Sequence, residues 1–229
     1  MARETALYEI PATLEIARVL GDSMLNEYNA SVKSSYNSDK ARAILSKFGK
    51  SNGELTNSNN FMLAHLQNSG LLQGRIATKA DLESALRFGL NLSGNYVDFG
   101  LALRTAGDSY SPNDMLAKNL AEQLRKRDIK LEKGKLIQIG ALSKPIEDNN
   151  SEYGLVFSLN ELSKKELFDS GLIKDLSQFK WNYERDEGLA GAYFNEDGSW
   201  GSLDFDLGSG FGASRVVVVS AEDAAKNSS

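Results

Sequence analysis

Hydrophobic and polar positions alternate most regularly toward the C-terminal end of the chain. Between residues 178 and 220, short runs of strand-forming residues are separated by Gly and Asp at close intervals. This spacing is typical of an antiparallel sheet. The clearest turn is Asp197-Gly198, because Asp and Gly tolerate the backbone angles of a two-residue hairpin turn. The sequence therefore predicts a β-hairpin centred on these two residues.

The N-terminal part of the chain has the spacing of helices instead. Apolar residues three or four positions apart predict a first helix over residues 11–32. Ser38 is a typical N-cap, and Thr78 with Asp81 matches the capping-box pattern. Two further helices are therefore expected to begin just after Ser38 and Thr78.

Strand and helix patterns succeed one another in the middle of the chain. Apolar residues alternate with others from Tyr96 to Arg104, which favours a strand, although the Ala and Leu residues there would also suit a helix. A helix is expected from Pro112 to about Arg127, because its apolar positions recur at helical spacing and basic residues close its end. Apolar runs near residues 136–142 and 153–159 predict two more strands.

These patterns together predict an α+β protein. A small helical region over residues 1–92 is followed, over residues 93–220, by a mostly antiparallel β-sheet with one or two packed helices. The strand, helix and strand over residues 96–142 would add one parallel pair and make the sheet mixed. Residues 221–229 are small and polar, so we expect this tail to fray.

Composition narrows the class of protein. The chain has 229 residues, of which 41% are hydrophobic, and a chain of this size buries about 70% of its unfolded surface. It has no cysteine, which excludes disulfides, thiolate metal sites and cysteine nucleophiles. Neither a signal peptide nor a membrane-spanning run is recognisable, so we expect a soluble, cytoplasmic protein without a membrane partner. The pattern does not indicate an oligomeric state.

The predicted hairpin suggests a binding face. If Asp197 and Gly198 are its central residues, one face is apolar and the other is polar and aromatic. The polar face would carry Tyr193, Asn195, Trp200 and Ser202. Aromatic rings beside polar groups are common in sites for small polar ligands, whereas the solvent side of an antiparallel sheet is also polar. The first hypothesis is a binding or interaction module for a small polar ligand or a protein partner.

Paired carboxylates suggest a hydrolase as the alternative. Asp204 and Asp206 stand two positions apart, which on a strand places their Cα atoms about 6.6 Å apart on one face. An acid and a base at such a distance can flank a water molecule, as in inverting glycosidases. Glu184 on a preceding strand is a further candidate. Carboxylates exposed on a strand would instead repel each other through water, without any catalytic role.

A basic cluster raises nucleic-acid binding as a third hypothesis. The cluster lies where the helix expected to reach about Arg127 ends and the next strand approaches: Arg125, Lys126, Arg127 and Lys130. Such residues contact phosphates in nucleic-acid complexes. Cations at a helix C-terminus are also favoured by the helix dipole alone, and the net charge of -5 opposes a nucleic-acid partner.

Several cofactor and metal motifs are excluded. The Gly-rich stretch over residues 207–212 precedes a strand, whereas a dinucleotide-binding loop opens a helix. Trp200 occupies the position at which a calcium loop that began at Asn195 would need Gly. His65 is the only histidine, so a site with several histidine ligands is impossible. We expect neither a cofactor nor a bound metal.

Overall fold

The computed structural model describes residues 15–92, 94–105, 115–133, 136–140, 143–159, 173–175, 180–182, 188–195, 198–203, 207–210 and 212–221. Within these residues the helices are α1 (Leu25–Ser35), α2 (Asp39–Leu45), α3 (Asn60–Asn68), α4 (Lys79–Arg87) and α5 (Met115–Arg125). The strands are β1 (Glu15–Val19), β2 (Gly49–Ser51), β3 (Glu54–Thr56), β4 (Arg75–Ile76), β5 (Tyr96–Arg104), β6 (Leu136–Gly140), β7 (Lys144–Glu147), β8 (Leu155–Ser158), β9 (Ile173–Asp175), β10 (Lys180–Asn182), β11 (Gly188–Phe194), β12 (Trp200–Leu203), β13 (Ser214–Arg215) and β14 (Val217–Ala221).

The main sheet is built around β5. Strand β11 pairs with one edge of β5, and β13 and β6 pair with the other edge. Strands β12 and β10 continue the sheet beyond β11, while β3 and β2 continue it beyond β13 and β9 lies beside β6. Two pairs, β5 with β13 and β10 with β12, are parallel, and the other pairs are antiparallel. The predicted α+β fold with a mostly antiparallel, mixed sheet is confirmed.

The expected position of the parallel pair is wrong. Strands β5 and β6 are antiparallel, with Arg104 opposite Leu136. The connection between them, which contains α5, begins and ends at the same end of β5. The second strand must therefore run back along the first, and the parallel partner of β5 is β13, a strand much more distant in sequence.

The first and last strands of the described chain pair in a separate small sheet. Strand β14 lies between β1 and β4, and the three strands are antiparallel. The helix predicted over residues 11–32 is therefore wrong in its first part, because Glu15–Val19 pairs with Val217–Ala221 and α1 begins only at Leu25. The partner of β1 lies at the far end of the sequence, so local spacing could not indicate it.

The helix starts predicted from capping residues are confirmed. The Ser38 hydroxyl accepts a hydrogen bond from the backbone N–H of Ala41 at 3.3 Å, and α2 begins at Asp39, directly after Ser38. Thr78 and Asp81 form the complete capping box of α4. None of the helices in the part of the chain described here is long and apolar enough to cross a membrane.

Both faces of the central strands are buried. A β-bulge in β5 places Phe99 out of register where Gly100 has a φ of 143°, a backbone angle that favours glycine. As a result Phe99 packs with α4 and β14 on one face, whereas Leu101 packs with α3 and α5 on the other. Every residue of β11 is buried, so the alternative of a solvent-facing side for this strand is wrong.

Candidate functional site

The β11–β12 hairpin forms as predicted but in a different register. Phe194 lies opposite Trp200, and Tyr193 lies opposite Gly201. The backbone N–H of Asn195 donates to the carbonyl of Ser199 at 2.9 Å, so the connecting loop is longer than two residues. The predicted pairing of Asn195 with Trp200 is wrong. Two large aromatic side chains share one buried face in the observed register, and their burial outweighs the preference for a tight turn.

The shifted register separates the predicted ligand residues. The Trp200 ring packs against Phe194 and Phe99, with ring centroids 4.8 Å and 5.6 Å away, and Lys79 Nζ lies 4.6 Å from its centroid. Tyr193 belongs to the opposite face of the sheet, so its predicted grouping with Trp200 is wrong. The side chain of Ser202 lies outside the residues that the structure describes.

The predicted catalytic carboxylates also fall outside the described residues. Asp204, Asp206 and Glu184 are in the gaps after β12 and β10. Their role as an acid and a base stays a prediction.

The basic cluster closes α5 as expected. Arg125 is the last residue of the helix, and the Arg127 guanidinium donates to the carbonyl of Gln123 at 2.8 Å. Lys126 and Lys130 are exposed, and Lys130 Nζ lies 4.0 Å from a carboxylate oxygen of Glu132. The bond to Gln123 gives the cluster a role at the helix end, and contact with nucleic acid stays a prediction.

A cluster of buried polar side chains lies where α3 begins. We call Ser58, Asn60, Asp98 and Ser214 the buried polar cluster, since each is at most 7% exposed. Ser58 and Asn60 flank Asn59, the N-cap whose side chain accepts a hydrogen bond from the backbone of Met62. Asp98 comes from β5 and Ser214 from β13. The start of one helix and two adjacent strands thus bring together residues from distant parts of the chain.

Hydrogen bonds fix the geometry of one half of this cluster. The Ser58 hydroxyl donates to Asp98 Oδ2 at 2.6 Å, and the Ser58 backbone N–H donates to Ser214 Oγ at 2.8 Å. The two serine hydroxyl oxygens are 2.9 Å apart. Because the single Ser58 hydroxyl proton is directed at Asp98, the Ser214 hydroxyl supplies the proton between the serines. These bonds lock the segment before α3 onto the sheet.

Burial changes the acidity of Asp98. Desolvation raises the pKa of this carboxyl to about 6, and the hydrogen bond from Ser58 lowers it by less than burial raises it. A carboxyl of this kind gains and loses its proton close to neutral pH. Perturbed carboxyls are frequent in functional sites, although ion-pair networks in a structural core perturb the pKa of carboxyls too.

The other half of the cluster contains unused hydrogen-bond acceptors. Asn60 Oδ1 is buried and has no hydrogen-bond partner. Within the described residues, the bond from Ser58 is the only one that the Asp98 carboxyl accepts. The Asn60 side chain lies over Gly191 of β11, where a Cβ atom would come within 2.8 Å of Asn60 Nδ2. Glycine is needed here to give the amide its place against the sheet.

Two tyrosines border the cluster on the same face of the sheet. Tyr193 lies directly opposite Asp98, and its ring centroid is 6.2 Å from that of Tyr96. Tyr193 is buried, whereas Tyr96 is partly exposed, so the cluster approaches the surface beside Tyr96. Of the predicted ligand-binding residues whose side chains are described, Tyr193 is therefore the one that lies next to this cluster.

The Gly-rich stretch packs against the segment that leads into α3. A Cβ atom on Gly210 would lie 2.2 Å from the carbonyl oxygen of Asn57. The carbonyl of Gly208 accepts hydrogen bonds from Lys47 Nζ at 2.6 Å and from Asn59 Nδ2 at 3.1 Å. In this arrangement the stretch supports the buried polar cluster by backbone contact.

His65 belongs to a second, separate polar group between α1 and α3. Its Nε2 lies 3.2 Å from Ser31 Oγ, and its Nδ1 lies 3.1 Å from the Tyr36 hydroxyl, which donates to the carbonyl of Pro145 at 3.2 Å. Burial, with a smaller effect of Lys144, lowers the pKa of His65 to about 4. A catalytic nucleophile, its base and the group that orients the base are arranged in a similar way. Here the group in the orienting position is a neutral tyrosine, and the lowered pKa makes His65 a weak base. We assign His65 to packing between the helices.

The sequence held little indication of the buried polar cluster. Alternation along β5 predicts that Asp98 lies on the polar side of its strand, but it does not show what covers that side. Ser58 and Asn60 lie in a polar stretch that is typical of a loop. The Gly-rich residues 207–212 were the one usable signal, because glycine also marks close approach of two backbones.

No group of three or more histidine and acidic side chains within the described ranges could hold a metal ion. Comparison of the chain with protein-family models, with curated proteins and with solved structures gives no match.

Proposed function

We propose that this chain is a binding protein that holds a small polar ligand at the buried polar cluster. The observation that carries the proposal is the unused acceptor Asn60 Oδ1, 6% exposed as a residue, in a cluster whose carboxyl, Asp98, accepts one hydrogen bond within the described residues. Buried polar groups nearly always have partners in native proteins. A ligand with hydrogen-bond donors would satisfy both groups.

The energetics favour a functional reason for these groups. Leaving one buried acceptor unsatisfied is unfavourable by about 1–3 kcal/mol, and a desolvated carboxylate adds to this. A core that served only for stability would be better filled by apolar side chains, as the same sheet face is at Leu101 and Leu103. Functional sites are where proteins typically retain such energetically unfavourable polar groups.

The surroundings suit a small ligand. The tyrosine rings of Tyr96 and Tyr193 provide apolar surface on the face of the sheet that carries Asp98, and ligand sites commonly combine apolar walls with a few convergent polar groups. Ser58, Ser214 and the backbone of Gly210 hold the site on rigid elements. Tyr193, one of the residues predicted to bind a ligand, belongs to this proposed site, whereas Trp200 lies on the opposite side of the sheet.

Binding can be tested by following backbone amide resonances of isotope-labelled protein during titration with monosaccharides, polyols, amino acids and small amines. We expect one class to shift resonances at the start of α3 and in β5 and β11. Asp98→Asn and Asn60→Ala should each weaken the binding that produces these shifts. Asp39→Asn, which changes a carboxyl whose side chain is 99% exposed, should leave them unchanged.

Trp200→Ala serves as a second control because it alters the other face of the sheet. Thermal melting of each variant establishes that it is folded. The proposal fails if the affinity is unchanged in both cluster variants, or if binding is lost in Trp200→Ala and unchanged in Asp98→Asn. In the second case the exposed edge of Trp200 would be the recognition surface.

A hydrolase is the second candidate function, and the pKa of Asp98 favours it. A carboxyl with a pKa of about 6 both donates and accepts protons at neutral pH. Asp98 would act as the acid in such an enzyme. Asp204, Asp206 and Glu184 would be the candidates for the base. Turnover that disappears in Asp98→Asn or Asp204→Asn, with ligand binding retained, would favour the enzyme, whereas recovery of unchanged ligand would favour the binding protein.

A further inference from the structure

The hydrogen-bonding capacity left over in the buried polar cluster determines which groups a ligand must supply. Asn60 Oδ1 has no partner, and the Asp98 carboxyl accepts one bond within the described residues. The Asn60 amide oxygen and the ionised Asp98 carboxyl both accept hydrogen bonds, so a ligand must offer them N–H or O–H donors. A ligand carboxylate or phosphate would supply only acceptors and would place a like charge beside Asp98.

Asp98 also has no opposite charge acting on it among the described residues. Arg215, the cation next to Ser214 on β13, donates from Nε to Glu54 Oε2 at 2.7 Å and is thus engaged with another carboxylate. Burial and the bond from Ser58 are the influences on the pKa of Asp98, and no charged side chain of the described residues acts on it. A buried carboxylate is unfavourable until a cation pairs with it.

The aromatic residues point to the same chemistry. The rings of Tyr96 and Tyr193 lie 6.2 Å apart with a tilt of 54°, and Tyr193 is the cross-strand neighbour of Asp98. Organic cations are attracted to the faces of aromatic rings, and a carboxylate beside the rings strengthens that preference. Unused acceptors, a carboxyl with no opposite charge among the described residues, and two tyrosines therefore occur on the same face of the sheet.

We propose that the ligand of this site carries a protonated amino group, whose N–H bonds donate to Asp98 and Asn60 beside the two tyrosine rings. The inference rests on the proposed function and specifies its ligand class. The competing occupant is an ordered water molecule, which satisfies buried acceptors without selecting any ligand.

Matched pairs of compounds test the charge requirement. Ethanolamine is compared with ethylene glycol, and benzylamine with benzyl alcohol, by amide chemical shifts at pH 7.5. Within each pair the shape is nearly the same and the ammonium replaces a hydroxyl. We expect the amine to bind about tenfold more tightly than its partner, because charge-assisted hydrogen bonds are roughly twice as strong as neutral ones. The shifts should map to the start of α3, β5 and β11.

Variants of the protein test which side chains cause the preference for amines over alcohols. Asp98→Asn keeps the size of the side chain and should remove the preference for the amine over the alcohol. Asn60→Ala should weaken both members of a pair, because it removes an acceptor that serves either donor. Asp39→Asn should retain the preference, since its carboxyl lies at the surface.

The outcomes distinguish the two proposals. If alcohols bind at the cluster as tightly as amines, or if only another member of the broader panel binds there, the ligand class is wrong and the binding function stands. If Ca²⁺ shifts the same amides while the amines do not, the site takes a metal ion and the inference is overturned. If no compound of either panel binds, the cluster holds only water and both proposals fail.

Discussion

Ser58 donates a 2.6 Å hydrogen bond to Asp98, 40 residues away in the sequence, and thereby joins the start of α3 to the central strand of the main sheet. The bond has two consequences. It anchors the helix N-terminus through a side chain that is not the N-cap, and it is the one described hydrogen bond that stabilises the ionised form of a buried carboxyl. Stability, acidity and ligand recognition at the buried polar cluster therefore depend on the same pair.

Removal of this bond should raise the pKa of Asp98. The hydrogen bond from Ser58 lowers that pKa at present, so Ser58→Ala should move it above 6, with titration followed by the carboxyl ¹³C resonance of Asp98. We expect the free energy of unfolding to fall by about 1.5–3 kcal/mol at pH 8, where the carboxyl is charged. The loss should be smaller at pH 4. Ser34→Ala is the control, because Ser34 is exposed and its hydroxyl donates to the nearby carbonyl of Ser31.

Asp98 and His65 should have opposite effects on the pH dependence of stability. Between pH 6 and 3.8 the folded protein holds a proton on Asp98 that the unfolded chain lacks, so this carboxyl stabilises the fold as the pH falls. Between pH 6.5 and 4 the unfolded chain holds a proton on His65 that the folded protein lacks, so this histidine destabilises the fold as the pH falls. In the shared window from pH 4 to 6 the two contributions nearly cancel.

Single variants should reveal the separate contributions of Asp98 and His65 to the pH dependence of stability. Relative to the original protein, Asp98→Asn should lose more stability at pH 4 than at pH 7, and His65→Gln should show the reverse difference. Each difference should be at most about 3 kcal/mol. Urea denaturation at a series of pH values measures them. Parallel curves for the two variants and the original protein would contradict the assigned shifts.

Local signals predicted part of this fold well. Ser38 and Thr78 marked true helix starts because an N-cap acts on backbone groups within three residues of itself. The strand from Tyr96 to Arg104 was predicted because its alternation is unbroken in the sequence, although a bulge later shifts its register. These features are determined by neighbours along the chain.

Features that depend on distant segments were missed. The pairing of β1 with β14 joins the two ends of the described chain, so residues 15–19 looked helical on their own. The hairpin register was set by the burial of Phe194 and Trp200 against Phe99, which the turn residues do not reveal. The buried polar cluster combines segments around residues 58, 98 and 214, whose only common property in the sequence is polarity.

The observed register predicts which aromatic side chains interact. Trp200 and Phe194 are cross-strand neighbours, so a double-mutant cycle of Trp200→Leu and Phe194→Leu should give a coupling energy of about 0.5–1.5 kcal/mol. The same cycle with Tyr193→Leu should be additive within roughly 0.5 kcal/mol, because Tyr193 lies on the other face. Coupling of Trp200 to Tyr193, with none to Phe194, would instead support the register expected from a two-residue turn.

Glycine substitutions should separate close contacts that can relax from those that cannot. A Cβ atom on Gly210 would lie 2.2 Å from the backbone carbonyl oxygen of Asn57, which cannot move without shifting the segment before α3. On Gly191 it would lie 2.8 Å from the Asn60 side chain, which can turn aside, and on Gly212 it would meet nothing within 4 Å.

We therefore expect Gly210→Ala to be the most destabilising of the three variants, by about 3 kcal/mol or more, and Gly191→Ala to be intermediate at about 1–2 kcal/mol. Gly212→Ala should be neutral or stabilising by up to about 1 kcal/mol, since alanine restricts the unfolded chain. Thermal and urea unfolding give the order. Gly191→Ala should also weaken any ligand that depends on Asn60, because the displaced amide no longer presents Oδ1 beside Asp98. A Gly191→Ala protein with normal stability and normal binding would show that the Asn60 amide has no fixed position in the site.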